Sequence, residues 1–200
     1  GRGSSTLAAW IQMNLDKDAV AAPKPANASL LMSAKSFAEG DMQNYYLDQG
    51  IWLAVDPDKH KFGAAGKTFP YPTGRYHVTL RAVGENDGRS TYQVAIDGEK
   101  LGDFECPLSD RMFDEGAKFH KTWAPVRITE GAVISVRSEI GSRDGNEFSR
   151  ARWAAISFEP ANNATKKRVQ PFLAKQAELL KNESARQSRT GTCFQPRLGA

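Results

Sequence analysis

Residues Lys67–Pro107 read KTFPYPTGRYHVTLRAVGENDGRSTYQVAIDGEKLGDFECP and hold three strand-like runs: Arg75–Val83, Ser90–Ile96 and Lys100–Phe104. Glu85-Asn86-Asp87-Gly88 joins the first two and Asp97-Gly98 the next two. Asp-Gly favours a tight hairpin, because glycine accepts the positive φ such turns need. Tyr76, Val78, Leu80 and Ala82 alternate with His77, Thr79 and Arg81. A period of two buries one face of a strand and wets the other. The chain is therefore built on an antiparallel sheet. Its function is to be sought in loops and on a sheet face rather than in an α/β cleft.

Working outward, strand signals occupy Leu30–Phe37 and Tyr45–Val55 before this stretch. Thr122–Thr129, Ala132–Ile140 (after the turn at Glu130-Gly131) and Arg150–Glu159 follow it. No helix is expected within residues 29–160. Strand after strand with turn residues between predicts an all-β fold, an antiparallel β-sandwich or jelly roll. Residues 1–28 read as an N-terminal extension: an apolar patch at Thr6–Leu15, then a connector at Asp16–Ala28 with Pro23 and Pro25. Residues 161–200 read as a basic C-terminal helix and tail. Over Thr165–Arg189, Val169, Phe172, Leu173, Gln176, Leu179 and Leu180 recur at three- and four-residue steps, the mark of an amphipathic helix. Pro171 is expected in its first turn, where proline is tolerated. The apolar stripe is expected to pack on the sandwich or on a neighbouring module.

Hydrophobic residues make up 40% of the chain and charged residues 25%, the balance of a folded globular protein. The net charge of +4 is unevenly spread. Residues 161–200 carry eight Lys/Arg against two Asp/Glu, and residues 1–160 carry nineteen against twenty-one. A nearly neutral body argues against nucleic acid as a partner, since that needs a concentrated basic face. No apolar run reaches the roughly 18–20 residues that span a membrane. The start Gly1-Arg2-Gly3-Ser4-Ser5 is compatible with a removed signal segment. Cys106 and Cys193 could pair in an oxidising compartment or stay as two free thiols, and the sequence leaves both open.

The motifs of common enzymes are missing: no Gly-x-Ser-x-Gly elbow, P-loop, Rossmann glycine pattern or His-Glu-x-x-His. His60, His77 and His120 are scattered. Asp110, Asp114 and Glu115 could form a carboxylate pair for glycoside hydrolysis, but a chain with 23 acids offers many such pairs. Asp144-Gly145-Asn146-Glu147 has oxygens that suit calcium, yet reads better as a turn, as does Asn86-Asp87-Gly88. Trp52 and Trp153 lie inside strand-like runs and are expected in packing.

The order Thr68–Gly84, Ser90–Gly102, Thr122–Ser138 and Arg152–Pro160 (TFPYPTGRYHVTLRAVG, STYQVAIDGEKLG, TWAPVRITEGAVISVRS, RWAAISFEP) resembles the β-sandwich carbohydrate-binding modules of the galactose-binding-like superfamily, family 6 and its relatives. The resemblance covers about residues 29–160 and rests on strand order and turns. It implies a sugar ring held between aromatics in a loop-end cleft. By that likeness Trp123 and Tyr45 or Tyr46 would be the aromatics. Aromatic planes pack on the apolar C–H face of a pyranose while polar groups fix its hydroxyls. Two departures stand out. Arg152, Ala154 and Ile156 occupy the family's Asn-x-Asp-x-Ile positions, and Ser33-Ala34-Lys35-Ser36 stands where a Glu-x-Glu carrying calcium ligands is usual. Calcium therefore loses its customary ligands, and binding needs no cofactor. Arg143, Arg150 and Arg152, clustered with Asn146 near the last loop, would suit an acidic glycan if they face the cleft, because guanidinium pairs carboxylate or sulfate bidentately.

The resulting expectation is a non-catalytic module that binds a polysaccharide or oligosaccharide and targets a polysaccharide-active multidomain protein to its substrate. Such a protein would be secreted, cell-surface or periplasmic. Neighbouring domains or a protein partner would be met through residues 165–189. A second reading is a structural sandwich that docks protein through its loops or helix. A third is a jelly-roll lyase or hydrolase.

Overall fold

The structure, a computed structural model, describes residues 29–190, with side chains to Asn182. The described residues form twelve strands: β1 (Leu30–Ser33), β2 (Asp41–Gln43), β3 (Tyr45–Asp48), β4 (Trp52–Val55), β5 (Phe62–Thr68), β6 (Gly74–Ala82), β7 (Thr91–Ile96), β8 (Glu99–Glu105), β9 (His120–Thr122), β10 (Val126–Ile128), β11 (Val133–Glu139) and β12 (Trp153–Pro160). A one-turn helix α1 (Ala34–Phe37) follows β1, and the long helix α2 (Asn163–Thr190) follows β12. One sheet runs β10-β6-β12-β4-β3, with β1 also along β12 and β9 along β6; the other runs β2-β5-β11-β7-β8. All pairings are antiparallel. The fold is an all-β antiparallel sandwich with a C-terminal helix.

The alternation in β6 has the expected result: Tyr76, Val78, Leu80 and Ala82 are fully buried, while His77, Thr79 and Arg81 are only partly so. Trp153 anchors the core, meeting the rings of Phe37 and Tyr45 edge-on at 5.1 and 6.2 Å. Phe69, Tyr76 and Phe158 form a second aromatic knot. Burying each such side chain stabilises the fold by about 2–3 kcal/mol before the entropy of ordering it. Asp97 (φ 49°) and Gly98 (φ 81°) make the expected left-handed hairpin turn between β7 and β8.

Several expectations are corrected. β6 and β7 are not hairpin partners: β6 pairs with β12, β9 and β10, and β7 pairs with β11 and β8. Residues 83–90 cross from one sheet to the other. The expected strand Leu30–Phe37 breaks after Ser33, because the Ser33 hydroxyl accepts from the Ser36 N–H and caps α1. Tyr45–Val55 is a hairpin rather than one strand, turning at Gln49 (φ 51°) and Gly50 (φ 76°). Thr122–Thr129 is divided between β9 and β10 around Ala124 and Pro125. Pro171 lies inside α2, beyond its first turn.

α2 docks by Val169 and Leu173, both buried, and by Gln176. The Gln176 amide donates to the Ser29 carbonyl and accepts from the Leu31 N–H at 3.1 and 2.9 Å. At its start Thr165 packs on Gly74 and accepts from the Arg75 N–H. Ser29, Gly74 and Pro160 therefore share one pole of the sandwich. The ends of β6 and β11 and the beginnings of β3 and β12 share the other. Among the described residues no helix is long and apolar enough to cross a membrane.

Candidate functional site

The pole opposite α2 is built from loops 83–90, 107–119 and 140–152, and the β3–β4 hairpin flanks it through Tyr46 and Asp48. Glu85 holds it together. A glutamate in a polar loop is normally solvated, yet this one is 2% exposed. Ala151 adopts φ 47°, and the N–H groups of Arg150 and Arg152 on either side both point to the Glu85 carboxylate at 3.0–3.2 Å. Such a nest of N–H groups favours an anion. The Arg152 guanidinium adds a bond to Glu85 through Nη1 and reaches Asp48 Oδ2 through Nε at 2.6 Å. Burial raises the Glu85 carboxyl above its ordinary range, while Arg152 and the two N–H groups pull it back. Arg152 also lies over the Phe113 ring, 4.4 Å from its centroid. Phe113 packs on Trp52, whose indole N–H donates to Glu115 at 2.8 Å. Two backbone approaches close the wall. A Cβ on Gly88 would lie 2.1 Å from the Gly141 carbonyl oxygen, and one on Gly141 would lie 1.8 Å from that of Arg89.

On this frame opens a cleft of about 720 Å³. Tyr46, Met112, Phe113 and Phe148 give it an apolar lining. Asp48, Asn86, Asp87, Glu147 and Arg150 give it polar groups. Met112 is exposed, and Tyr46, Phe113 and Phe148 are half-buried. The Tyr46 hydroxyl accepts from Arg150 Nη1 at 2.9 Å. Among the described residues Asp87 forms no ion pair, and its Oδ1 is sealed from solvent without a hydrogen-bond partner. Burial lifts the Asp87 carboxyl above its ordinary range, offset by its own N–H and by Arg152 and Arg150. A second cavity of about 700 Å³ adjoins the first and shares Tyr46, Asp48 and Arg150 with it. Among the described residues no group of three His, Cys, Asp or Glu is placed to hold a metal ion.

The residues expected at a sugar site are distributed unevenly over this pole. Tyr46 lines the cleft. Tyr45, on the opposite face of β3, is buried and its hydroxyl donates to Ser138 Oγ at 2.7 Å in the core, though it also borders the second cavity. Trp123 is 8% exposed and sits within the hydrophobic core, its indole against Gly102. Its backbone N–H donates to the Val78 carbonyl, so the ladder continuing from β9 turns this side chain inward. Trp123 therefore has no free ring face for a sugar. Arg152 is 5% exposed and shared between Asp48 and Glu85, so its guanidinium is not open to an acidic ligand. Arg143 and Asn146 are exposed on the loop that borders the cleft, but the wall takes Glu147 and Phe148 of that loop instead. Cys106 is buried, and burial pushes its thiol up to about 12. Its suggested partner Cys193 lies outside the described residues, as do residues 1–28.

Sequence reasoning placed Arg150 with the arginines near the last loop and read Asn86 and Asp87 as a turn, but passed over Asp48, Glu85, Phe113 and Phe148. One signal was present: Met112 and Phe113 are apolar residues in an otherwise charged loop, Asp110-Arg111-Met112-Phe113-Asp114-Glu115.

No family model matches the chain. Over 120 residues, 60% of the chain, it is 38% identical to "Uncharacterized protein P23" of Formosa agariphila, and it spans 29% of that protein's length. Among solved structures it is similar to a family 35 carbohydrate-binding module from Clostridium thermocellum, at 12% identity and a TM-score of 0.45, covering 66% of this chain and 98% of the other. It is similar also to the CBM35 of Paenibacillus barcinonensis, at 13% identity and a TM-score of 0.45, covering 66% and 99%. The C-terminal CBM6 of a marine laminarinase from Zobellia galactanivorans matches at 12% identity and a TM-score of 0.44, covering 66% and 98%. Likeness at this level assigns no ligand to the cleft.

Proposed function

We propose that the protein binds a polysaccharide, taking sugar rings into the cleft at the pole opposite α2. One observation carries this reading: half-buried rings and polar side chains line the same cleft, on a floor held by the Glu85–Arg152–Asp48 network. An aromatic or thioether surface suits the C–H face of a pyranose, and Asn86, Asp87 and Glu147 suit its hydroxyls. Two arginines face three carboxylates on the lining, and Arg152 is spent on Asp48 and Glu85. That balance supports a neutral glycan over the acidic one suggested by the arginines in the sequence.

Ser29 and the start of α2 lie at the far pole, which would leave the cleft unobstructed in a longer chain. Together with the partial span of the curated relative, this supports a targeting module within a larger extracellular protein. Tethering of this kind raises the local concentration of a linked domain on its substrate. Retention on immobilised neutral polysaccharides tests the reading. The chain should be retarded, and the double change Asn86→Ala with Asp87→Asn should abolish retardation while the protein stays folded. Free passage of the unmodified chain over every glycan would overturn it. The exposed Leu179 (56%) and the partly exposed Phe172 on α2 support a second, protein-docking reading, which predicts a co-purifying partner lost on Leu179→Glu.

A further inference from the structure

We infer that the ligand is an extended saccharide lying across two subsites, with the Tyr46–Arg150 hydrogen bond forming the saddle between them. This rests on the saccharide reading above and deepens it. The two cavities, of about 720 and 700 Å³, are not separate pits: Tyr46, Asp48 and Arg150 belong to the walls of both. The Tyr46 hydroxyl and Arg150 Nη1 are tied at 2.9 Å. Asp48 is fixed at its other side by Arg152 at 2.6 Å. The shared wall is thus held from below and does not need the ligand to form it.

The lobes differ in chemistry. The first has Phe113 and Phe148 with Asn86 and Asp87. The second has Asn44, Tyr45, Asp56, Lys59 and His60, where Lys59 pairs with Asp56 at 2.9 Å. Tyr46 offers ring surface to both lobes; Phe113 and Phe148 extend it in the first, and the second adds Tyr45 beside a charged rim. A single ring would fill only one lobe. A chain crossing the saddle would gain the second lobe's contacts with little further loss of translational freedom, since the first ring already tethers it.

The experiment is titration calorimetry of the chain with mono-, di- and trisaccharides of β-1,4-linked xylose, glucose and mannose. In the series that binds, affinity should rise at least about tenfold from mono- to trisaccharide. His60→Ala combined with Lys59→Ala alters only the second lobe, on a partly exposed turn. It should bring the trisaccharide to within about threefold of the monosaccharide and leave the monosaccharide unchanged. Equal affinity for mono- and trisaccharide, or equal loss for both in the variant, would overturn the two-subsite inference while the saccharide reading stands. Absence of heat with every glycan, in a protein shown folded by its thermal transition, would overturn both.

Discussion

Changing Glu85 to Gln tests the floor of the cleft with one atom. Both carboxylate oxygens are in use: Oε1 accepts from the Arg152 N–H at 3.2 Å, and Oε2 accepts from the Arg150 N–H at 3.0 Å and from the Arg152 guanidinium. A glutamine offers one oxygen and one NH2 group. Whichever way the amide turns, its NH2 faces a donor, and the guanidinium keeps only Asp48 as counter-ion. Breaking a buried pair by removing one partner typically costs 3–5 kcal/mol. Because Asp48 remains, the lower end applies, about 3 kcal/mol. In a domain of this size that lowers Tm by roughly 6–12 °C. Thermal unfolding followed by near-ultraviolet circular dichroism measures the shift, and urea unfolding gives the free energy separately. Saccharide affinity should fall with it, since Phe113 and Tyr46 are positioned through Arg152 and Arg150. A Tm within about 2 °C of the unmodified protein would refute the claim that Glu85 organises this pole.

Burial, with Arg81 adding to it, lowers the His120 imidazole from 6.5 to about 4. A folded-state value below the unfolded one contributes stability that is present above pH 6.5 and lost as pH falls through 4. About 3 kcal/mol should disappear over that window in denaturant titrations, and His120→Gln should flatten the loss. Trp123→Ala should cost about 3–5 kcal/mol of stability as a core truncation, yet leave saccharide affinity of the folded protein within about twofold. Gly141→Ala drives a Cβ into the Arg89 carbonyl and should cost about 1–3 kcal/mol by overpacking, with loss of retention on polysaccharide.

The parts of the fold legible in the sequence were those set by local pattern. Tyr76-to-Ala82 alternation placed β6, and Asp97-Gly98 placed the β7–β8 hairpin, because side-chain period and turn chemistry act within a few residues. Residues 83–90 were misread because a hairpin loop and a crossing between sheets need the same turn residues. Only the pairing of β6 with β12 separates the two. The sequence pointed to a loop end with aromatics and arginines as the candidate site, but the lining of the cleft differs from the residues it suggested. Trp123 borders a strand, and whether its ring faces in or out depends on the β6–β9 register, with Thr79 opposite Thr122. Glu85 looked like a solvated loop acid because its partners, Arg150 and Arg152, lie 65 and 67 residues away. Arg152 looked like an anion receptor because nothing local shows that two carboxylates already hold it.

Chemical-shift mapping of the isotopically labelled chain, titrated with the oligosaccharide that retards it most, tests the central claim most directly. The account predicts that the largest amide perturbations fall on Tyr46, Asn86, Asp87, Phe113, Phe148 and Arg150, with Trp123 and α2 unmoved. Perturbations concentrated on a sheet face or on α2, with the cleft silent, would contradict it.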